Sequence, residues 1–227
     1  MSNAFDEAWQ VVKMAQHHLG PIRMYDLASN NFQTDEQKAK LKEEFGEYPV
    51  MGSAAFFNDN HVKARMTPRQ YMEMAYNTGR KDLIGDEYLL DMQEQMMMGR
   101  PIGLPYLGVS RRDDGSFKVN SQEGRHRMQS LIDLGQGDVE IPVQIGSNAM
   151  FDGKKKHNQY GGFQEMIDAL QGARLIQQTG YSDGYTEEDL GDRLKVLENL
   201  KIDDPQVWGR NKTFKITPED WGEHDRF

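Results

Sequence analysis

The sequence has no cysteine among its 227 residues and no long apolar run. The missing thiols exclude disulfide bonds, thiolate nucleophiles and cysteine-ligated zinc. No stretch approaches the roughly 20 apolar residues of a membrane helix. Residues 1–7 lack the basic start and the apolar core that are typical of a signal peptide. We therefore expect a cytoplasmic protein with no membrane partner.

A surplus of basic charge is also missing, since the formal net charge at pH 7 is -9. Proteins that bind duplex DNA non-specifically draw much of their affinity from a basic face that releases counterions. Overall charge therefore gives no support for DNA binding and leaves only a local basic patch as a route to it. The hydrophobic fraction of 37% is low for one tight globule, so we expect polar extensions around a core.

Helix and turn signals divide the chain into three parts: an N-terminal helical and irregular extension (1–64), a core (65–150) and a polar, mainly helical C-terminal extension (151–227). Stretches 48–62 and 217–220 show only turn signals, and 48–62 is assigned no structure. The elements predicted in the two extensions are a helix over 5–19, an extended piece over 22–27, helices over 34–44 and 163–178, and a helix that begins at Thr186 and includes Leu190, Leu194 and Leu197.

The core predicts alternating helices and strands. Thr67 and Pro68 stand in the order of a cap residue and a first-turn proline, so a helix begins there. Helix, strand, strand, helix and strand in that order indicate a mixed sheet with helices packed on it, an α+β fold. The predicted core elements are helices over 67–77, 86–98 and 124–134, strands over 105–109, 117–119 and 139–145, and a hairpin turn at 113–116.

The segment Gly124-Arg125-His126-Arg127 stands between a predicted strand and a predicted helix. The first turn of a helix carries unpaired N–H groups and a partial positive charge, so each cation placed there is unfavourable by a few tenths to about 1 kcal/mol. A bound anion offsets that cost, and phosphate is the common guest at a helix N-terminus. Arginine adds a planar fork that grips phosphate oxygens. These four residues are therefore the candidate phosphate site, although both arginines could instead pair with acidic neighbours.

Two of the neighbouring side chains are candidate catalytic residues. Glu123 could act as a general base or hold Mg²⁺, because one carboxylate plus substrate phosphates often suffices for magnesium; the alternative is a solvated turn carboxylate. His126 lies between two arginines, which favours its neutral form, so it could accept a proton or could be a packed histidine. No residue spacing typical of a metal site made by side chains alone is present. Lys154, Lys155 and Lys156 form a short basic run that could contact nucleic acid or be a solvated loop.

The order and spacing of the core motifs resemble the ParB/sulfiredoxin superfamily, over residues 65–145 at most. In that family a helix that ends in glycine leads to a proline-bearing strand, a hairpin, a Gly-x-x-Arg turn, a helix that ends in Leu-Gly, and a Pro-Val strand. The upstream Met-Thr-Pro-x-x-Tyr helix resembles phage-encoded relatives, which implies the host cytoplasm. The matching stretches are 66–71, 98–101, 104–109, 114–119, 123–127, 133–135 and 141–143.

The resemblance implies a nucleotide ligand, because members of the family use the turn to hold nucleotide phosphates: ATP in sulfiredoxins and free-serine kinases, CTP in ParB proteins. It implies phosphate contacts by Gly124, Arg125, His126 and Arg127, with Arg100 and Arg65 near the pocket. A nucleoside triphosphate with Mg²⁺ would be the cofactor. Arg125 stands where sulfiredoxins carry their catalytic cysteine, which excludes sulfinic acid repair. The tail after residue 150 does not resemble the helix-turn-helix array of ParB.

Three functions follow from the sequence. The first is a nucleotide-binding protein that transfers or hydrolyses a phosphoryl group through positioning and charge neutralisation at the turn. The second is a DNA-binding module or a nuclease, in which the 154–156 lysines and the turn contact backbone phosphates. The third is a non-catalytic structural or assembly protein that keeps the fold.

Overall fold

The computed structural model describes residues 22–25, 35–45, 61–75, 86–147, 163–179, 186–203 and 213–216. The helices are α1 (Asp35–Phe45), α2 (Pro68–Ala75), α3 (Asp86–Met97), α4 (Arg125–Asp133), α5 (Phe163–Leu170) and α6 (Glu187–Leu190), the last followed by a 3₁₀ turn (Gly191–Arg193). The strands are β1 (Ile22–Tyr25), β2 (His61–Met66), β3 (Ile102–Gly103), β4 (Tyr106–Arg111), β5 (Phe117–Glu123), β6 (Ile141–Ser147), β7 (Leu175–Ile176), β8 (Val196–Leu197), β9 (Lys201–Ile202) and β10 (Thr213–Ile216). The predicted helix over 5–19, the lysines 154–156 and the turn at 217–220 lie outside these residues.

The fold is α+β, as predicted, and it is built on a seven-stranded mixed sheet in the order β8-β7-β5-β4-β6-β2-β9. The hairpin β4–β5 is antiparallel, and the chain then passes through α4 to β6, which lies parallel to β4 on its other side. A second sheet has the order β10-β1-β3. Helices α2 and α3 both pack against α4. None of the helices in the described segments is long and apolar enough to cross a membrane.

Strand β2 was not predicted, because its sequence was assigned partly to the irregular stretch 48–62 and partly to the core. Alternate residues of β2, Val62, Ala64 and Met66, are buried and pair with apolar residues of β6. This period-2 pattern is the signature of a strand with one face in the core. The strand spans the predicted boundary between residues 64 and 65, and β7, β8 and β9 join the same sheet from beyond residue 150.

The predicted helix over 163–178 is wrong in its second half. Helix α5 ends at Leu170, and Gly172 adopts φ +73°, a left-handed conformation that commonly terminates helices. Leu175 and Ile176 then pair with Phe117 and Lys118 as strand β7. The pattern of apolar residues continued through this turn, so periodicity alone did not show the break.

The start of a helix at Thr186 is confirmed, but its predicted length is wrong. Thr186 and Asp189 form a capping box, in which each side chain bonds the other residue's backbone N–H. The helix ends at Leu190, and the 3₁₀ turn beginning at Gly191 follows. Leu197 therefore lies in strand β8 rather than on a helix face. The C-terminal part thus contains short strands as well as helices, which corrects the prediction of a mainly helical extension.

Candidate functional site

The turn between β5 and α4 is built on Gly124, which adopts φ +115° and ψ +10°. A Cβ atom at this position would lie 3.0 Å from the Cβ and 3.1 Å from the Cα of Pro105, and 2.8 Å from Nη2 of Arg127. Two independent constraints therefore select glycine: the backbone conformation, and the close approach of the loop before β4. The absence of a side chain at residue 124 therefore lets Pro105 and Arg127 pack against the turn.

Arg127 lies beneath the turn and forms a forked ion pair with Glu123. Its Nη2 and Nη1 atoms donate to Oε2 and Oε1 of Glu123 at 2.5 and 3.2 Å, and Nη2 also donates to the Leu104 carbonyl at 3.4 Å. The Arg127 side chain is only 3% exposed, whereas that of Glu123 is 27% exposed. Arg127 thus joins the end of β5, the first turn of α4 and the loop before β4. This is the pairing with an acidic neighbour that the sequence left open as the alternative to phosphate contact.

Tyr71 fixes the same turn from helix α2. Its hydroxyl donates to the carbonyl of Glu123 at 2.8 Å and lies 3.3 Å from the carbonyl of Tyr106. Burial and, second, the charge of Glu123 raise the pKa of Tyr71 far above its ordinary value, with the nearby arginines opposing. The phenol therefore stays protonated and acts as a donor. The sequence identified Tyr71 only as the last residue of the Met-Thr-Pro-x-x-Tyr stretch. The signal that could have marked it is that a buried tyrosine hydroxyl usually finds a partner.

Helix α2 is held at its start in a way that orients Tyr71. Thr67 Oγ1 accepts from the Gln70 N–H at 3.2 Å, and Gln70 Oε1 accepts from the Thr67 N–H at 2.9 Å. This reciprocal pair is a capping box, which satisfies N–H groups that the first turn would leave unpaired. Tyr71 follows directly, so the cap and the hydroxyl that holds the Gly124 turn belong to one rigid element.

The Tyr71→Phe substitution is expected to destabilise the fold by about 1–3 kcal/mol, because it removes the hydroxyl donor from two carbonyls next to the core. Chemical denaturation compared with wild type measures this loss. Tyr88→Phe is the matched control: its side chain is 44% exposed, and exposed substitutions of this kind fall within about 0.5 kcal/mol of zero. Equal stability of the two variants would show that the Tyr71 hydroxyl does not hold the turn.

The other two residues of the turn differ in depth. Arg125 is buried, with 9% exposure, whereas His126 is half-buried. Burial, followed by the charges of Arg125 and Arg127, lowers the pKa of His126, and Glu123 acts in the opposite direction. His126 is therefore neutral near pH 7, as the sequence predicted. The structure thus places Gly124 and His126 at the surface and the two arginines below them.

The remaining arginines of the predicted pocket have contacts elsewhere in the fold. Arg100 follows α3, and its Nη1 donates to Gln95 Oε1 at 3.4 Å. Arg65 lies on β2 and pairs with Asp203 at 2.8 Å, which ties the end of β9 to β2. The contact described for Arg65 therefore joins two strands, and that of Arg100 is local to the end of α3.

Chain comparisons give no family for this protein. Searches against family models, curated proteins and solved structures returned no match. Within the described segments there is also no group of three or more His, Cys, Asp or Glu side chains that could hold a metal ion. The function of the site is therefore inferred from its geometry.

Proposed function

We propose that this chain binds the phosphate group of a nucleotide at the start of α4, within a ParB/sulfiredoxin-like unit. The observation that carries the proposal is the composition of the first turn of α4: it contains two arginines and a histidine and no acidic residue. The helix dipole and the buried guanidinium of Arg125 contribute positive potential at this point, where an anion is favoured, whereas the charge of Arg127 is balanced by Glu123. The glycine before the helix lets Pro105 and the guanidinium of Arg127 pack closely against the turn, which fixes the position of its main chain.

The four residues of the turn, 124–127, have different roles in this proposal. The main chain around Gly124 and the ring of His126 are the parts that a phosphate would contact, since these residues lie at the surface. Arg125 contributes its charge from below. Arg127 acts as a positioning residue, because its guanidinium is held by Glu123 and Leu104.

The pairing of Glu123 favours binding over catalysis. Both carboxylate oxygens accept from Arg127, so only the remaining lone pairs of Glu123 could contact a proton or a metal ion. A magnesium ion here would depend mainly on phosphate oxygens and water, which is common for this cation. His126, with its lowered pKa, is the group at the turn best suited to accept a proton. We therefore propose nucleotide binding as the function of the turn, and turnover of the bound nucleotide is the measurement that tests phosphoryl transfer.

The order of elements supports the fold assignment within this proposal. A β-hairpin, a glycine turn, a helix and a return strand beside the first strand follow one another over β4, β5, α4 and β6. The helix α2 of the Met-Thr-Pro-x-x-Tyr motif packs against α4 and bonds the turn through Tyr71. Two of the motifs that carry the resemblance, the Met-Thr-Pro-x-x-Tyr helix and the Gly-x-x-Arg turn, are therefore in contact.

Thermal denaturation with ATP, ADP, CTP, GTP or inorganic phosphate, each with Mg²⁺, tests the proposal. A ligand at 100 times its Kd stabilises the native state by about 2.7 kcal/mol, which raises the Tm of a chain of this size by roughly 5–10 °C. We expect one or more nucleotides to produce such a shift, and His126→Ala and Arg125→Gln to reduce it.

Arg174→Gln provides the matched control for the loss of a guanidinium. Arg174 is exposed and pairs with Glu198, and its carbonyl accepts from Phe117 at the far end of β5. That end is about 20 Å from Glu123 at the usual rise of a strand, so the ligand shift should be unchanged. No shift with any of these ligands would refute the proposal, and binding of duplex DNA that weakens steeply with salt would favour the nucleic-acid alternative.

A further inference from the structure

Helix α3 places an exposed aromatic ring beside the first turn of α4. The centroids of the Tyr88 and His126 rings lie 5.5 Å apart, with an interplanar angle of 82°, so the rings meet edge to face. Tyr88 is 44% exposed and is the aromatic member of the exposed large apolar side chains of the described segments, the others being Leu90, Met98 and Val196. An edge-to-face contact covers at most one face of each ring. The Tyr88 ring therefore leaves aromatic surface open beside His126.

The position of this pair matters because His126 is two residues beyond Gly124. A phosphate bound at the start of α4 would lie close to His126. The Tyr88 ring contacts His126 from the neighbouring helix α3. Aromatic side chains that flank a phosphate site suit ligands with a planar ring, since bases stack on tyrosine irrespective of their hydrogen-bonding pattern. Inorganic phosphate or an aliphatic phosphate ester would gain nothing from such a ring.

We propose that Tyr88, supported by the His126 ring, is the residue that contacts the base of the bound nucleotide and so selects nucleotides over other phosphate ligands. The inference rests on the proposed phosphate site and adds its ligand preference. Stacking on a ring face recognises planarity rather than base identity. The site therefore discriminates weakly among ATP, CTP and GTP and strongly against polyphosphate without a base.

Titration calorimetry in the presence of Mg²⁺ distinguishes the affinity that comes from the phosphate chain from the affinity that comes from the nucleoside. ATP, CTP and GTP are compared with inorganic tripolyphosphate, which has the same phosphate chain and no nucleoside. Variants Tyr88→Ala and Tyr88→Phe are compared with wild type, and Leu90→Ala is the control. Leu90 is exposed on the same helix, two residues on, and residues at that spacing do not share a face.

We expect Tyr88→Ala to weaken nucleotide binding by about 5- to 150-fold, the range that loss of one base stack produces. Tripolyphosphate affinity should change by less than about twofold, and Tyr88→Phe and Leu90→Ala should bind like wild type. Equal losses for nucleotide and tripolyphosphate would overturn the inference, because Tyr88 would then act by holding His126. Unchanged affinities in Tyr88→Ala would overturn it too, while leaving the phosphate site in place. Wild-type protein that binds neither ligand would overturn the proposed function itself.

Discussion

Gly124→Ala is expected to destabilise the protein by about 2–5 kcal/mol and to abolish ligand-induced stabilisation. A left-handed backbone costs an L-residue roughly 1–2 kcal/mol, and crowding in a packed site costs about 1–3 kcal/mol. Both terms apply here, because φ is +115° and the new methyl group would meet Pro105 at 3.0 Å, partly through its backbone Cα. Pro105 cannot rotate away as a flexible side chain could. Chemical denaturation and the nucleotide thermal shift measure the two effects.

The Gly115→Ala variant separates the cost of the left-handed backbone from the cost of crowding. Gly115 also has a positive φ, +83°, but an added Cβ would have no neighbour within 4 Å. Its substitution should therefore show the conformational cost alone, about 1–2 kcal/mol, with the ligand shift preserved. If both alanine variants lose the same stability and the same ligand response, the approach of Pro105 to the turn has no consequence.

Removing Glu123 is expected to be more harmful than removing its partner. Glu123→Ala leaves the guanidinium of Arg127 buried without its carboxylate, a change that typically costs about 3–5 kcal/mol. Arg127→Met instead leaves a carboxylate that is 27% exposed and that water can solvate. Its cost should lie nearer to about 2 kcal/mol, within the range for an unpartnered polar group. Denaturation of each single variant gives this order directly.

The double variant Glu123→Ala/Arg127→Met completes a thermodynamic cycle. Because the two residues are in contact, their effects should not add, and the double variant should be more stable than Glu123→Ala alone. Lys118→Met is the comparison for an exposed pair: Lys118 is bonded to Glu187 at 2.6 Å with both side chains about 30% exposed, so its loss should cost less than about 1 kcal/mol. Additive effects of the Glu123 and Arg127 substitutions would contradict an energetically coupled ion pair between the two side chains.

Sequence periodicity predicted the elements described between residues 22 and 147 better than the short strands that follow residue 170. Helices α1 to α4 and strands β4 to β6 were predicted within a few residues, because each has a cap, a turn glycine or a strong alternation of its own. Strand β7 has only two residues and exists through its pairing with Phe117 and Lys118, which lie about 60 residues earlier. A strand of that length has no periodicity to detect. Strand β2 had the alternation, but the irregular stretch before it masked its start.

For the candidate site too, the sequence predicted the local features and missed those that depend on distant segments. The sequence identified the turn, its glycine and the neutral His126, since local order and neighbouring charges suffice for these inferences. It could not distinguish an arginine that grips a ligand from one that holds the protein together. Burial of Arg127 and its fork on Glu123 depend on Leu104 and on Tyr71, which are distant in sequence. The same is true of Tyr88, whose place beside His126 depends on how α3 packs on α4.

By itself, therefore, the amino-acid sequence determined that an α+β chain without thiols or a basic surplus carries a glycine turn with a cationic helix start. Those properties depend on composition and on residues within one or two turns of each other. The tertiary structure decided how deeply each cation is buried and which cation is paired with a carboxylate, because burial and pairing are set by segments brought together from across the chain. The physical reason is that desolvation and ion pairing act through space, whereas caps, turns and periodicity act along the chain.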